Sequence, residues 1–434
     1  MILRQFRYSD PVAISHLFGC GGKAMARRTC SFGAVAIGLG VTMALAAGGT
    51  SLADPGASLV DAVKAGRLIL DLRPRYEFVD QDNIASTADA FTVRTQLGWE
   101  TGSWNDLKAL VEFEDVRAIG GQRFNSTLNG RTAYPVVADP NVTELNRAQI
   151  AWAPSKSFSA TVGRQIVAID DQRFIGAAAW RQDEQTFDAA RADFKSGPFS
   201  ASYIYIDRVN RVFAQAQDWD SDSHVVNAAY SVAKSLRIEG FLYALDFKQS
   251  PANSSLTYGV RATGALNAAP VTLTYAGAYA RQRDYRNNPA NFGLNYWTAE
   301  LSGTWDVFTL KGNYEMLQGD GVRGFSTPLA SLHPFQGWAD VFLITPANGI
   351  KDANVSLAIK PRLKLDHLSN VVLTGVYHDF TTERGGGDLG REVDLQATAA
   401  ITKQLSGLIK FADYDGVPGL PSRRKVWLGL EFKL

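Results

Sequence analysis

The chain of 434 residues has only two cysteines, Cys20 and Cys30, and both lie close to the N-terminus. The rest of the chain therefore has no disulfide, thiolate metal site or cysteine nucleophile. After Asp54, no stretch approaches the roughly 20 consecutive apolar residues that a transmembrane helix needs. No histidines and carboxylates have metal-ligand spacing, so we expect neither a metal nor another cofactor. A calcium ion held by Asp and Glu side chains of the loops is the alternative.

Net charge is also nearly absent, with 44 Lys and Arg against 43 Asp and Glu. Positions 1–53 hold five basic residues and one acidic residue, so 39 basic and 42 acidic residues remain beyond them. A chain so balanced has no overall basic field, and we expect no nucleic-acid partner. Any charge selectivity must come from how the charges are distributed.

The N-terminal region has the order of a secretory signal. The basic pair Arg27 and Arg28 precedes an apolar run at 32–47, and small residues follow. This order predicts a signal peptide at 1–53, cleaved after Ala53, with Met25 as a possible true start. An uncleaved anchor helix is the alternative. We expect residues 54–434 to form a single domain.

The last ten residues alternate strictly between two faces. One face is wholly apolar and the other is mostly charged, as expected for a strand between lipid and water. Ten residues is about the length of a tilted strand that crosses a bilayer. The apolar face consists of Val426, Leu428, Leu430, Phe432 and Leu434.

The same alternation recurs along the chain, for example at 68–78, 91–100, 107–113, 297–305 and 393–397. It predicts an all-β fold, a transmembrane antiparallel up-and-down β-barrel of about 18 strands, closed by pairing of the last strand with 68–78. A barrel of that size has a water-filled or loop-plugged lumen. A soluble β-sandwich or solenoid is the alternative, although no fixed repeat is present.

Short and long connections separate these strands. The turns at 102–105, 154–156, 267–270 and 305–306 are short, whereas the segments at 118–143, 208–222, 281–292, 318–348 and 413–422 are long. Short turns on one rim and long loops on the other are typical of outer-membrane barrels. Aromatic residues near strand ends, such as Trp99, Trp152 and Trp305, suit the membrane interfaces.

Two parts of the chain carry a specific resemblance. One comprises Gly163–Gln165, Gln172–Gly176, Trp180–Gln182 and Thr186–Asp188, and the other is Phe325–Asp340 continuing to Pro346–Gly349. Together they resemble the alginate export porins of the Gram-negative outer membrane.

The resemblance implies a monomeric 18-stranded barrel, inserted among outer-membrane lipids by the barrel-assembly machinery, with an arginine-lined constriction for the acidic polysaccharide alginate. The terminal Leu434 departs from the aromatic residue that usually ends such barrels.

Arginine suits a lumen that conducts carboxylates, because its planar guanidinium group forms two parallel hydrogen bonds to a carboxylate. Strand alternation and nearness to the segment of resemblance predict the lumen arginines Arg73, Arg75, Arg94, Arg147, Arg164, Arg181, Arg191 and Arg237. Arg164 is out of phase with the lumen face of its strand. The acidic residues predicted to share the lumen are Asp71, Glu77, Glu112 and Asp193.

These features predict a passive outer-membrane porin, not an enzyme, for an anionic oligo- or polysaccharide. A porin for small anions or general solutes is the alternative. An outer-membrane lipase or deacylase finds little support, because His378 and Asp379 have no serine elbow nearby. A passive pore has no intrinsic direction, so export and import stay open.

Overall fold

The computed structural model describes residues 58–363 and 365–434, so the predicted signal peptide at 1–53 lies outside the described residues. A short helix, α1 (Leu59–Lys64), precedes the first strand, and single 3-10 turns lie at Gln215–Gln217 and Pro251–Asn253. The strands are β1 (Arg67–Gln81), β2 (Ala88–Glu100), β3 (Leu107–Ala118), β4 (Val142–Ser155), β5 (Phe158–Gln165), β6 (Thr186–Ser196), β7 (Phe199–Asn210), β8 (Trp219–Ala233), β9 (Leu236–Leu245), β10 (Ser255–Ala268), β11 (Val271–Asp284), β12 (Gly293–Trp305), β13 (Phe308–Leu317), β14 (Ile350–Ile359), β15 (Ser369–Thr381), β16 (Asp388–Ala400), β17 (Leu405–Asp415) and β18 (Arg423–Lys433).

The strands form one closed antiparallel barrel. Each strand pairs with its neighbours in the chain, and β1 pairs with β18 to complete the ring. Across this seam Leu72 lies opposite Phe432, and Phe78 lies opposite Val426. The all-β fold, the 18 strands and the closing pair are confirmed. Closure leaves no strand edge unpaired, which a sheet in lipid requires.

In the described part of the chain, no helix is both long enough and apolar enough to cross a membrane.

The outer face of the barrel is apolar because every second side chain points toward lipid. On β18 these residues include Leu428 and Leu430, exposed by 47% and 45%. Their neighbour Ile409 on β17 is exposed by 59% and lies directly opposite Leu428. Such exposure of large apolar side chains over a whole surface is stable only against hydrocarbon.

Three of the long connections carry the interior structure. They are the segments 119–141, 166–185 and 318–349, which we call the inner loops. Their apolar residues pack against the inner wall, so that Phe325, Leu329 and Trp338 are buried together with Trp427 of β18. The segments 211–218 and 285–292 are shorter than predicted because the flanking strands continue into them.

The seam between β1 and β18 can be tested with an engineered disulfide. In a chain with Cys20 and Cys30 replaced by serine, Phe78→Cys with Val426→Cys should cross-link on oxidation, because directly opposed Cβ atoms lie about 4.5–5.5 Å apart. Non-reducing gels of boiled protein detect the cross-link.

Phe78→Cys with Leu430→Cys is the control, since Leu430 lies four residues further along the strand. Equal cross-linking of both pairs, or of neither, contradicts the register of the seam.

Candidate solute site inside the barrel

Two inner loops pair with each other inside the lumen. Ile175 and Leu329 form a parallel bridge, and the Gly176 N–H donates to the Leu329 carbonyl at 2.8 Å. The Ser331 N–H donates to the Gln172 carbonyl at 3.0 Å. These bonds satisfy backbone groups that would otherwise be buried without partners. The loops 166–185 and 318–349 therefore form one unit.

Arg173 anchors this unit to the wall. The side chain is buried, and its Nε donates to Glu315 of β13 at 2.7 Å. Its two terminal nitrogens donate to Thr327 and Gln336 of the other loop at 3.0 and 3.2 Å. The ring of Phe335 lies 4.7 Å from the guanidinium carbon. A buried cation is stable only when it is paired in this way.

Asp340 is the centre of a second buried group. Its carboxylate accepts hydrogen bonds from Arg181 and from Lys425 of β18, both at 2.8 Å, and Oδ1 lies 2.8 Å from Nδ1 of His333. Burial alone would raise the pKa of Asp340, but Lys425, His333 and Arg181 hold that pKa well below its ordinary value. Asp340 is therefore ionised, and it ties two inner loops to the last strand.

The same group extends to the first strand and the third inner loop. Glu77 of β1 lies 3.0 Å from Lys425, and Arg75 of β1 pairs with Asp139 at 2.5 Å. Arg181 lies 3.7 Å from Glu77. Three carboxylates thus meet three cations. We call this set the Asp340 cluster: Arg75, Glu77, Asp139, Arg181, His333, Asp340 and Lys425.

An aromatic cage adjoins the cluster. The His333 ring stacks on Trp180 at 4.2 Å, and its Nε2 lies 2.7 Å from Nζ of Lys410 on β17. Lys410 Nζ lies 3.7 Å from the centre of the Trp338 ring and 4.3 Å from that of Trp180. Burial lowers the pKa of His333 well below its ordinary value, and Lys410 lowers that pKa further. The neutral form of His333 is therefore favoured, and its ring bridges Asp340 and Lys410.

The tip of the 318–349 loop rests on two acidic residues of β16. The Ala339 N–H donates to Glu392 at 2.6 Å, and the Trp338 N–H donates to Asp394 at 3.2 Å. Gly337 has φ +82°, and a Cβ there would lie 2.3 Å from a Glu392 carboxylate oxygen. Only glycine fits this approach. The 318–349 loop thus reaches into the barrel.

Most of the predicted lumen arginines are paired with a carboxylate. Arg94 lies 2.7 Å from Asp71, and Arg147 lies 2.5 Å from Glu112. Arg191 lies 2.7 Å from Asp193. Each predicted acidic residue in these pairs neutralises a predicted arginine, so the pairs add little net charge to the lumen.

Three further predicted arginines contact partners that the sequence did not predict. Arg73 donates to Gln182 at 2.9 Å and to the Ala179 carbonyl at 2.8 Å, which holds an inner loop to β1. Arg237 pairs with Glu239 at 2.8 Å. Arg164 lies two residues after Val162 on β5, so both side chains point outward. Arg164 itself lies opposite Ala148 of β4 and pairs with Asp188 at 2.7 Å. The structure therefore does not bring Arg164 together with the lumen residues, because the alternation of β5 carries it to the outer face.

A cavity of about 1200 Å³ lies between the inner loops and the wall. Seven basic side chains and two acidic ones line it, together with several aromatic rings. Four of the basic residues have no carboxylate within 4 Å among the residues that the structure describes. These four, which we call the cavity cations, are Arg211, Arg323, Lys410 and Arg423.

Aromatic rings support two of the cavity cations. The Arg211 guanidinium carbon lies 3.9 Å from the centre of the Trp219 ring, and that of Arg323 lies 4.5 Å from the centre of the Phe292 ring. Stacking on a ring orients a guanidinium while leaving its edge N–H groups free to donate. The cavity can therefore pair with carboxylates while offering apolar ring faces.

Comparison with known proteins agrees with this architecture. Residues 67–416 match the model of the family described as alginate export. The chain belongs to the alginate export family. It is an outer-membrane porin, in agreement with its closed barrel and apolar outer face.

Solved structures extend the likeness to the fold. OccAB4 of Acinetobacter baumannii is 13% identical with a TM-score of 0.68, covering 85% of this chain and 98% of that chain. OpdK of Pseudomonas aeruginosa, solved with vanillate, is 13% identical with a TM-score of 0.68, covering 86% and 99%. OccK9 (OpdG) of Pseudomonas aeruginosa is 13% identical with a TM-score of 0.67, covering 86% and 100%. A search of curated proteins finds no match.

The cavity cations of this porin were absent from the residues predicted from sequence. Arg423 shares the inward phase of Lys425, so the alternation of β18 could have identified it. Lys410 lies opposite Trp427 and is accessible to the same reasoning. Arg211 and Arg323 lie on loops whose inward course no local pattern indicates.

The Asp340 cluster predicts how the inner loops of this porin can be released. Asp340→Asn removes the charge that Arg181 and Lys425 share, and breaking a buried pair costs roughly 3–5 kcal/mol. The 318–349 loop should leave the lumen, so that single-channel conductance in planar bilayers rises and proteolysis within the loop becomes faster.

Asp320→Asn is the matched control, because Asp320 lies on the same loop but is exposed. Unchanged conductance and proteolysis in Asp340→Asn contradict the role of the cluster.

Proposed function

We propose that this porin passively conducts carboxylate-bearing sugars of the alginate type, taken as short oligomers. The observation that carries the proposal is the set of four cavity cations without a carboxylate partner among the described residues. A uronate oligomer carries one carboxylate per sugar, and moving it from water into the barrel costs free energy unless cations replace its hydration. The cavity cations provide that replacement.

The size of the cavity supports an oligomer as cargo. Pockets for compact ligands measure roughly 300–1,000 Å³, and this cavity of about 1200 Å³ lies just above that range. The inner loops fill much of the remaining lumen, so a continuous polymer would have to displace them. A short oligomer requires no such movement.

The distribution of charge also favours release. The cavity cations are carried by separate elements, namely the 211–218 loop, the 318–349 loop, β17 and β18. Conduction needs binding that is favourable at several sites but tight at none. The arginines already paired with carboxylates hold the wall and the loops, and they contribute less to the cargo.

A small anion is the second candidate. The aromatic rings beside Arg211 and Arg323 suit a planar carboxylate as well as a sugar, and the fold resembles that of OpdK, which was solved with vanillate. A single small carboxylate would use one or two cavity cations rather than all four. The two candidates therefore differ in how affinity depends on ligand length.

Current block in planar bilayers tests the proposal. We expect uronate oligomers of four to six sugars to block the pore at lower concentration than the monosaccharide or vanillate. Arg211→Gln with Arg323→Gln should raise the blocking concentration about tenfold or more, since hydrogen bonds to charged groups contribute roughly 1.5–3 kcal/mol each.

The matched control is Arg391→Gln with Arg424→Gln, because both arginines lie on the outer face and line no part of the cavity. Equal block by vanillate and by the hexamer favours the small-anion function. Absence of block by any of these carboxylates contradicts both candidates.

A further inference from the structure

The inner wall near the short turns at 267–270 and 305–306 carries a group of hydroxyl side chains outside the cavity. On β12 and β13 the residues that face lipid include Leu301, Trp305 and Leu310, which are exposed by 57%, 55% and 57%. Side chains alternate between the two faces of a strand, so the residues between these point into the lumen. Together with two residues of β11 they form a set that we call the hydroxyl belt: Thr272, Thr274, Ser302, Thr304 and Thr309.

Strand pairing places the hydroxyl belt in two adjacent rows on the wall. Thr304 lies directly opposite Thr272 on one side and Thr309 on the other. In the next row Ser302 lies opposite Thr274. Residues that lie opposite each other share a face of the sheet, and neighbouring strands are about 4.8 Å apart. The hydroxyls therefore form one continuous surface rather than isolated groups.

The hydroxyls of the belt bond to one another and keep hydrogen-bonding capacity in reserve. The side-chain oxygens of Thr274 and Ser302 lie 2.7 Å apart, and those of Thr304 and Thr309 lie 3.0 Å apart. A hydroxyl has one proton and two lone pairs, so each such pair retains one proton and several lone pairs after forming its bond. Each pair can therefore both donate to a solute and accept from it.

The charges nearest to the hydroxyl belt cancel. Lys311, the first inward charged residue of β13, lies opposite Ser302 but pairs with Glu300 at 3.1 Å. On β11 the next inward residues are Ala276 and Ala278, opposite Glu300 and Thr298, and their small side chains leave room beside the hydroxyls. The belt therefore offers hydrogen bonds without an unpaired charge, which distinguishes it from the cavity.

This combination suits an uncharged sugar better than an anion. An ionised carboxylate only accepts hydrogen bonds, and its desolvation is costly unless cations replace its hydration, as they do in the cavity. A sugar hydroxyl both donates and accepts, so it matches a surface that does the same. Each neutral hydrogen bond contributes modestly to binding, which keeps the site weak enough for conduction.

The row that contains Thr304 leads toward the cavity. From Thr309 the register continues through Ala358 of β14 and Thr374 of β15 to Gln396 of β16. Gln396 also lines the cavity. The belt near the short turns and the cavity between the inner loops are thus connected along one wall of the lumen.

We infer that the hydroxyl belt is a second solute site, which binds uncharged sugar units at the mouth of the barrel formed by the short turns. Its ligand is a neutral, polyhydroxylated oligosaccharide, so the lumen accepts glycans that mix neutral and acidic sugars. The inference goes beyond the proposed conduction of carboxylate-bearing sugars and does not depend on it, because none of the cavity cations belongs to the belt.

Current block by maltohexaose, an uncharged hexasaccharide, tests this inference in planar bilayers. Thr274→Val, Ser302→Ala and Thr304→Val together should raise the half-blocking concentration about fivefold or more, because they remove hydroxyls while nearly preserving side-chain volume. The KCl conductance of the open channel should stay the same, which shows that the variant barrel is folded. The matched control is Thr161→Val with Ser200→Ala, two inward hydroxyl residues on β5 and β7, and maltohexaose should block it as it blocks the wild type.

A further variant separates this site from the cavity. Arg211→Gln with Arg323→Gln should leave the block by maltohexaose unchanged, and a weaker block there would overturn the inference, because the sugar would then bind at the cavity cations. Equal block of the wild type and the belt variant, an equal loss in the control variant, or no block of the wild type by maltohexaose has the same consequence. Failure of the proposed function is a separate result, since it is measured with uronate oligomers.

Discussion

The shared carboxylate of Asp340 is the constraint on which the interior of this porin depends. A carboxylate inside the barrel is costly unless cations surround it, and Asp340 obtains Arg181 from one inner loop and Lys425 from the last strand. Glu77 joins the first strand to the same cations. The seam of the barrel and the tips of its loops are therefore stabilised by one set of charges, which turns a wide lumen into a cavity.

That cluster also explains how a nearly neutral chain can select for charge. Where carboxylates and cations pair, as Arg94 does with Asp71, their fields cancel at short range. The remaining electrostatic field comes from cations without a carboxylate partner, such as Arg211 and Arg323 in the cavity. A similar separation operates outside, where apolar side chains face hydrocarbon and charge pairs lie near the strand ends.

Strand alternation predicted the barrel because every side chain that faces lipid must be apolar. The closing pair of β1 and β18 follows from it, as Leu72 opposite Phe432 illustrates. The inner loops could not be predicted in this way, since Arg173 contacts Glu315, 142 residues away, and no local pattern indicates that pairing. Alternation also fails where a β-bulge adds a residue to one strand. At Asn146 of β4, the pairing with β3 shifts by one residue between Glu112 and Phe113. Alternation predicted arginines and carboxylates on the lumen face but not which of them pair, so the cations left for a solute were missed.

The central claim is that the cavity of this porin is cationic even though its chain is not. The zero-current potential of the wild-type channel under a tenfold KCl gradient measures this most directly, because it reports which ion carries the current. Our account predicts a potential close to the equilibrium potential of chloride. A potential close to that of potassium would contradict it.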